Sequence, residues 1–188
     1  MMKTLMKILL TIVIIFSITS CNKKEDDNKS TTKKEAVKPP RMDIHAAAYM
    51  GNLKAVKQHI NAGTDLNKKD SYGSTPLITA AVFGKTDVAK VLINAGTDLN
   101  LKNKDGSTAL NTAAFFCRKE IVEMLLKNGA DKNIKNNFGK TPYQGVSVPF
   151  KHVKPVYNQI QKDLGSFGLK LDYDHIEKTR PQIAKMLK

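Results

Sequence analysis

The chain has no tryptophan, two cysteines and four histidines, and its 17 Asp and Glu stand against 31 Lys and Arg, for a formal net charge of +14 over 188 residues. Each shortage excludes something. Cys21 and Cys117 are too few for a disulfide framework. His45, His59, His152 and His175 lie far apart and form no metal-spaced pair. There is no Gly-x-Ser-x-Gly, no phosphate loop and no His-Glu-x-x-His. The cluster from Asp172 to His175 reads as an exposed turn and helix cap rather than a metal site. No enzyme chemistry, cofactor or metal is therefore expected. Arginine is scarce as well: only Arg41, Arg118 and Arg180 occur, and bidentate phosphate reading favours arginine. The lysines are scattered, with Lys85, Lys90, Lys119 and Lys127 on outer helix faces, so a solvated basic surface is expected and nucleic acid is not. What is present is enough to fold. The chain is 41% hydrophobic and 26% charged, and its length allows one domain with accessories.

The first twenty residues read as an address. Lys3 and Lys7 precede an apolar stretch from Ile8 to Ile18, broken by Thr11 and Ser17. That stretch is about half the ~20 residues a membrane-spanning helix needs. A charged start, a short apolar middle and small residues at the end describe a secretory signal. The end, Ile18-Thr19-Ser20-Cys21, resembles the lipobox of bacterial lipoproteins. The resemblance implies that residues 1–20 are removed and that Cys21 carries a thioether-linked diacylglycerol and an acylated amine. Two or more acyl chains would anchor the protein stably in a membrane of the bacterial envelope. Asn22 follows the cysteine, so the Asp that retains enterobacterial lipoproteins at the inner membrane is missing. Residues 21–40 then read as the lipidated cysteine and a disordered tether. From 22 to 40 there are six lysines, four acids and a closing Pro39-Pro40, with almost nothing apolar to bury. As a flexible coil, such a segment spans roughly 25 Å.

The body, residues 41–146, is repetitive. Gly73, Gly106 and Gly139 are 33 apart, as are Gly63, Gly96 and Gly129, and Thr75, Thr108 and Thr141. Residues 61–67 and 94–100 are identical, Asn-Ala-Gly-Thr-Asp-Leu-Asn. Each unit reads as two helices and a loop. Thr75 caps the first helix and Pro76 takes its first position, where a missing N–H costs nothing. The pairs Ala47-Ala48, Ala80-Ala81 and Ala113-Ala114 allow close helix approach. Val88, Val91 and Leu92, then Ile121, Met124 and Leu125, form the buried stripe of the second helix. Gly96 ends that helix in a left-handed conformation, and Lys104-Asp105-Gly106-Ser107 is turn chemistry at a hairpin tip. Asp65, Asp98 and Asp131 recur as structural loop residues.

The 33-residue period, with Gly-x-Thr-Pro-Leu at 73–77 and Asn-Gly-Ala-Asp-x-Asn at 128–133, resembles the ankyrin repeat. The resemblance implies an all-α ankyrin-repeat solenoid of about four units, near 41–70, 71–103, 104–136 and 137–165, with a C-terminal helical extension over 147–188. There are departures. Ile78 replaces the family's His, Ala109 replaces its Pro, and only the first unit keeps the His, as His45. The fourth unit starts well at Gly139-Lys140-Thr141-Pro142, then loses the double alanine to Val146-Ser147 and its register at Pro149. Beyond it, Val153, Val156, Tyr157, Ile160 and Leu164 suggest a helix closing the stack. Phe167, Leu169 and Leu171 suit a short extended segment, and Pro181 is placed to open a last helix.

Ankyrin domains meet targets with their hairpin tips and the exposed ends of their first helices. The two positions before each turn residue are Tyr49 and Met50, Val82 and Phe83, then Phe115 and Phe116, all apolar. Tyr72 and Phe138 hold matching hairpin positions. Together they are expected to form a contiguous apolar patch that binds a protein. Cys117 takes the turn position held by Gly51 and Gly84, and a free buried thiol is expected there. The expected whole is a monomeric, membrane-tethered protein-binding module. An immunity or inhibitor protein that neutralises an envelope toxin or enzyme, or an envelope scaffold, is the alternative.

Overall fold

The structure, a computed structural model, describes residues 38–188. The expected leader, Cys21 and the expected tether up to residue 37 lie outside the described residues. Among the described residues nine α-helices follow in chain order: α1 Ile44–Met50, α2 Leu53–Asn61, α3 Pro76–Phe83, α4 Thr86–Asn94, α5 Ala109–Phe115, α6 Lys119–Lys127, α7 Pro142–Val146, α8 Phe150–Leu164 and α9 Tyr173–Leu187. One 3-10 turn, Gly165–Phe167, follows α8. No strand occurs among the described residues, and none of their helices is long and apolar enough to cross a membrane.

The local chemistry that starts the inner helices is repeated. Thr75 Oγ1 accepts from Ile78 N at 3.3 Å, and Thr108 and Thr141 build full capping boxes with Asn111 and Gln144. Each cap satisfies N–H groups that a helix cannot satisfy internally. The first three inner helices, α1, α3 and α5, end in left-handed turns: Gly51 has φ 74°, Gly84 φ 63° and Cys117 φ 55°. Cys117 thus adopts the glycine conformation despite its side chain, which is buried and donates its thiol to Ile176 O at 3.6 Å. Arg118 lies over the preceding turn. A Cβ on Gly84 would come within 3.0 Å of its guanidinium, and Nη2 donates to Val82 O at 3.1 Å. A cation at the C-terminal carbonyls of α3 also suits the helix dipole.

Stacking produces two rows. The inner row is α1, α3, α5, α7 and the outer row is α2, α4, α6, α9. The alanine pairs Ala47-Ala48, Ala80-Ala81 and Ala113-Ala114 are all fully buried where the inner helices meet. Leu77, Leu92, Leu110, Ile121 and Leu125 fill the space between the rows. Val146, Ile176, Ile183 and Leu187 extend the same core into the last unit.

Between the rows and the fingers, loops bond to the next repeat. Asp98 N and Asp131 N donate to Asn67 Oδ1 and Asn100 Oδ1, at 3.0 and 2.9 Å. Lys69 Nζ and Lys102 Nζ reach the carbonyls of Lys102 and Lys135, at 2.8 and 3.1 Å. Asp65, Asp98 and Asp131 each accept from the backbone two residues on, forming the same turn three times.

The fourth unit is split. Its inner helix α7 packs on α5, yet its outer partner, packed on both α6 and α7, is α9. Helix α8 is inserted between the two. The sequence leads one to expect that the helix around Tyr157 closes the stack and that Pro181 opens the last helix. The structure corrects both. Asp172 starts α9 by accepting from His175 N at 3.0 Å, and Pro181 sits inside the helix on an exposed face. A proline there removes one backbone hydrogen bond without a side chain having to enter the core. Phe167 belongs to the 3-10 turn rather than to an extended segment.

Candidate functional site

The ends of α1, α3 and α5 carry aromatic residues along one surface, a groove only in that α8 and the turn after it are seated on it. Tyr49 at the end of α1 meets Phe83 at the end of α3 edge to face, with ring centroids 4.7 Å apart. Phe115 and Phe116 meet edge to face at 5.2 Å at the end of α5. Such geometry follows the ring quadrupole and adds to area burial.

Helix α8 runs over this side. Phe150, Val153, Tyr157, Ile160 and Leu164 recur at spacings of three and four, and all five are buried or half-buried. Lys151, Lys154, Val156, Asn158, Gln159 and Lys162 face solvent. This is the apolar stripe of an amphipathic helix. Tyr157 is its anchor, 0% exposed and stacked on Phe115 at 4.6 Å. Its hydroxyl donates to Phe115 O and accepts from Arg180 Nη1 at 2.7 Å. At the far end, the Tyr49 hydroxyl donates to Phe167 O. The segment therefore spans from the third repeat back to the first.

Arg180, on α9, is almost fully buried. Besides Tyr157 it holds Gly145 O and Val148 O, both at 2.9 Å, and so fixes the root of the insertion. Burial raises the ionisation of the Tyr157 phenol above its usual value, against the pull of the Arg180 charge. Burial likewise pushes the Cys117 thiol up to about 11. Both groups are neutral packing elements at neutral pH. That is the opposite of what a reactive thiol or an acid–base centre requires.

The residues expected to bind are divided by the structure. Phe116 is 8% exposed, and Phe115 is half-buried under Tyr157. Neither is open to solvent as a free stripe would require, and Tyr157 of α8 covers Phe115. Tyr49, Val82 and Phe83 are half-buried, and Met50 is 61% exposed. Tyr72 and Phe138 stand at 74% exposure on their finger tips. The cause is local: Asp70 Oδ1 accepts from Tyr72 N and Ser74 N, and Asn136 Oδ1 from Phe138 N and Lys140 N, which closes each tip into a tight turn that carries Tyr72 or Phe138. The same turn on the middle finger presents Asp105. The tips thus read apolar, acidic, apolar, and are not one contiguous apolar patch.

His59 bonds to Thr64 Oγ1 and Met42 O, at 3.0 and 2.8 Å, while His152 and His175 are exposed. His45 has both ring nitrogens buried without a hydrogen-bond partner. Among the described residues, no three His, Cys, Asp or Glu gather as metal ligands.

A family model described as ankyrin repeats, in three copies, matches residues 44–136. These units are ankyrin repeats. The matched span runs from α1 into the loop after α6, so the helices of the split fourth unit lie beyond it. A search of curated proteins finds no match to this chain. Ankyrin repeats are a protein-interaction fold, and the solenoid seen here is of that kind. Tyr157, Phe167 and Arg180 are the residues of the groove that sequence reasoning missed. The spacing of three and four from Phe150 to Leu164 was the available signal, since it marks a helix with one buried face and does not say which surface that face meets.

Proposed function

We propose that the chain is a monomeric, lipid-anchored protein-binding module of the bacterial envelope. Cys21 holds the membrane, residues 22–40 act as a leash, and the ankyrin domain meets a protein partner along its groove and fingers. The binding half rests chiefly on one observation. Met50, Tyr72 and Phe138 are large apolar side chains left well exposed, the first at the end of α1 and the other two on the finger tips. Aromatic residues in such places supply much of the energy of protein interfaces. The anchoring half is supported by the charged start, the short apolar run and the Ile-Thr-Ser-Cys end alone.

Two experiments test it. Cells fed labelled palmitate should label the wild-type chain and not the Cys21→Ala variant; label in both, or in neither, would contradict the anchor. Full-length protein should then be captured from detergent-solubilised envelopes beside the variant Tyr72→Ser/Phe138→Ser. A stoichiometric partner lost in the variant is expected. The same proteins with both, or none with either, would contradict binding through the fingers.

A further inference from the structure

Helix α8 is not needed to complete the stack. The fourth unit already has its inner helix α7 and its outer helix α9, packed on α5 and α6 as the earlier pairs are packed on theirs. The insertion instead lays an amphipathic helix along the ends of the inner helices. Tyr49, Val82, Phe83 and Phe115 lie half-buried on that side.

Its hold is narrow. Tyr157 is the one residue of α8 that is fully buried. Pro155 removes a backbone N–H from the middle of the helix, and no side chain caps its start. The connector behind it passes through Gly168 at φ 81°, a glycine conformation. The helix thus owes its place to the groove more than to its own backbone. The slot it fills is specific. An aromatic face, Phe115, lies beside a carbonyl acceptor, Phe115 O, and a guanidinium donor, Arg180 Nη1. That combination fits a phenol.

We propose that α8 is an intramolecular stand-in for the partner, and that the partner presents an amphipathic helix with a central tyrosine that competes with α8 for the groove. This rests on the reading of the chain as a protein-binding module. It adds the form of the partner and the step that binding requires, namely release of α8. Recognition of a helix through anchors at spacings of three and four is a recurring mode.

The probe is a fluorescent peptide of residues 149–166, added to the full-length protein. Wild type should bind it weakly, because its own α8 fills the groove and only the open fraction is competent. The Tyr157→Ala protein should bind it at least about tenfold more tightly, with Tyr157→Phe in between. A peptide carrying the same Tyr157→Ala change should not bind. Equal binding to wild type and both variants, or no binding to folded variants, would overturn the proposal. So would loss of folding in both variants, since α8 would then be part of the core. The captured partner separates the two readings. A partner that stays bound in excess peptide overturns this proposal and leaves protein binding standing. Failure of the Tyr157→Ala protein to capture any partner, with its groove open, overturns both.

Discussion

The first three repeats and the split fourth unit solve the same packing problem by different means. Repeats one to three use small recurring devices: capped inner helices, paired alanines, left-handed turns and loop amides that reach back one unit. Each device is modest, but each is shared by neighbours, so the stack gains stability by nearest-neighbour addition. The fourth unit keeps the threonine cap and loses the rest. Its inner helix is five residues long, it shares the common core through Val146, Ile176, Ile183 and Leu187, and its inserted helix is tied in through one buried arginine and one buried tyrosine. Stability held in many equal contacts is hard to remove locally. Stability held in one network can be switched.

Substitutions can sharpen that contrast. The largest effect is expected within the stack. Leu110→Ala, at a fully buried position on α5, should cost about 2–5 kcal/mol. Urea unfolding should show all repeats losing stability together, and a loss confined to one repeat would contradict shared stacking.

Next is Tyr157→Phe, which removes the hydroxyl between Arg180 and Phe115 O. The buried donor and acceptor left behind should cost about 1–3 kcal/mol. Faster amide exchange should appear in α8, with α3 to α6 unchanged. Equal acceleration everywhere would erase the distinction between the two regions.

Gly84→Ala comes third. It would place a Cβ at φ 63° and 3.0 Å from the Arg118 guanidinium. A loss of roughly 1–2 kcal/mol is expected from the left-handed conformation. Thermal denaturation measures it, and an unchanged midpoint would mean the turn can rearrange without cost.

The smallest effect is a pH slope. The Cys117 thiol titrates near 11 in the fold against its usual 9.0. Between those values the unfolded chain loses its proton first, so stability should be flat below about pH 9 and fall as pH rises toward 11. The Cys117→Ala variant should show a shallower decline in urea midpoint from pH 8 to about 10.5. Identical slopes would mean that the thiol is not protected by burial.

The repeats were legible because each carries its own local signals. Thr75-Pro76, the alanine pairs and Gly96 specify caps, packing and turns within a few residues. Cys117 was legible by register, since it falls where Gly51 and Gly84 fall. The groove was half legible. The inner-helix ends are apolar in the sequence, and periodicity placed them on one side. What covers Phe115 was not legible, because that contact joins residues 42 positions apart with no repeat to align them. Asp105 was legible only in comparison: the finger register that exposes Tyr72 and Phe138 also puts an acid between them. The last helix was misread because Pro181 is a strong start signal, whereas the cap at Asp172 is the one the chain uses.

The most direct test of the division between the stack and the inserted helix α8 is amide hydrogen exchange of the unmodified protein, resolved by segment. Exchange from α8 is expected through local opening, about a hundredfold faster or more than from α3 to α6, with the repeats exchanging together. Protection of α8 equal to that of the repeats would contradict the account, because the inserted helix would then open only when the whole solenoid unfolds.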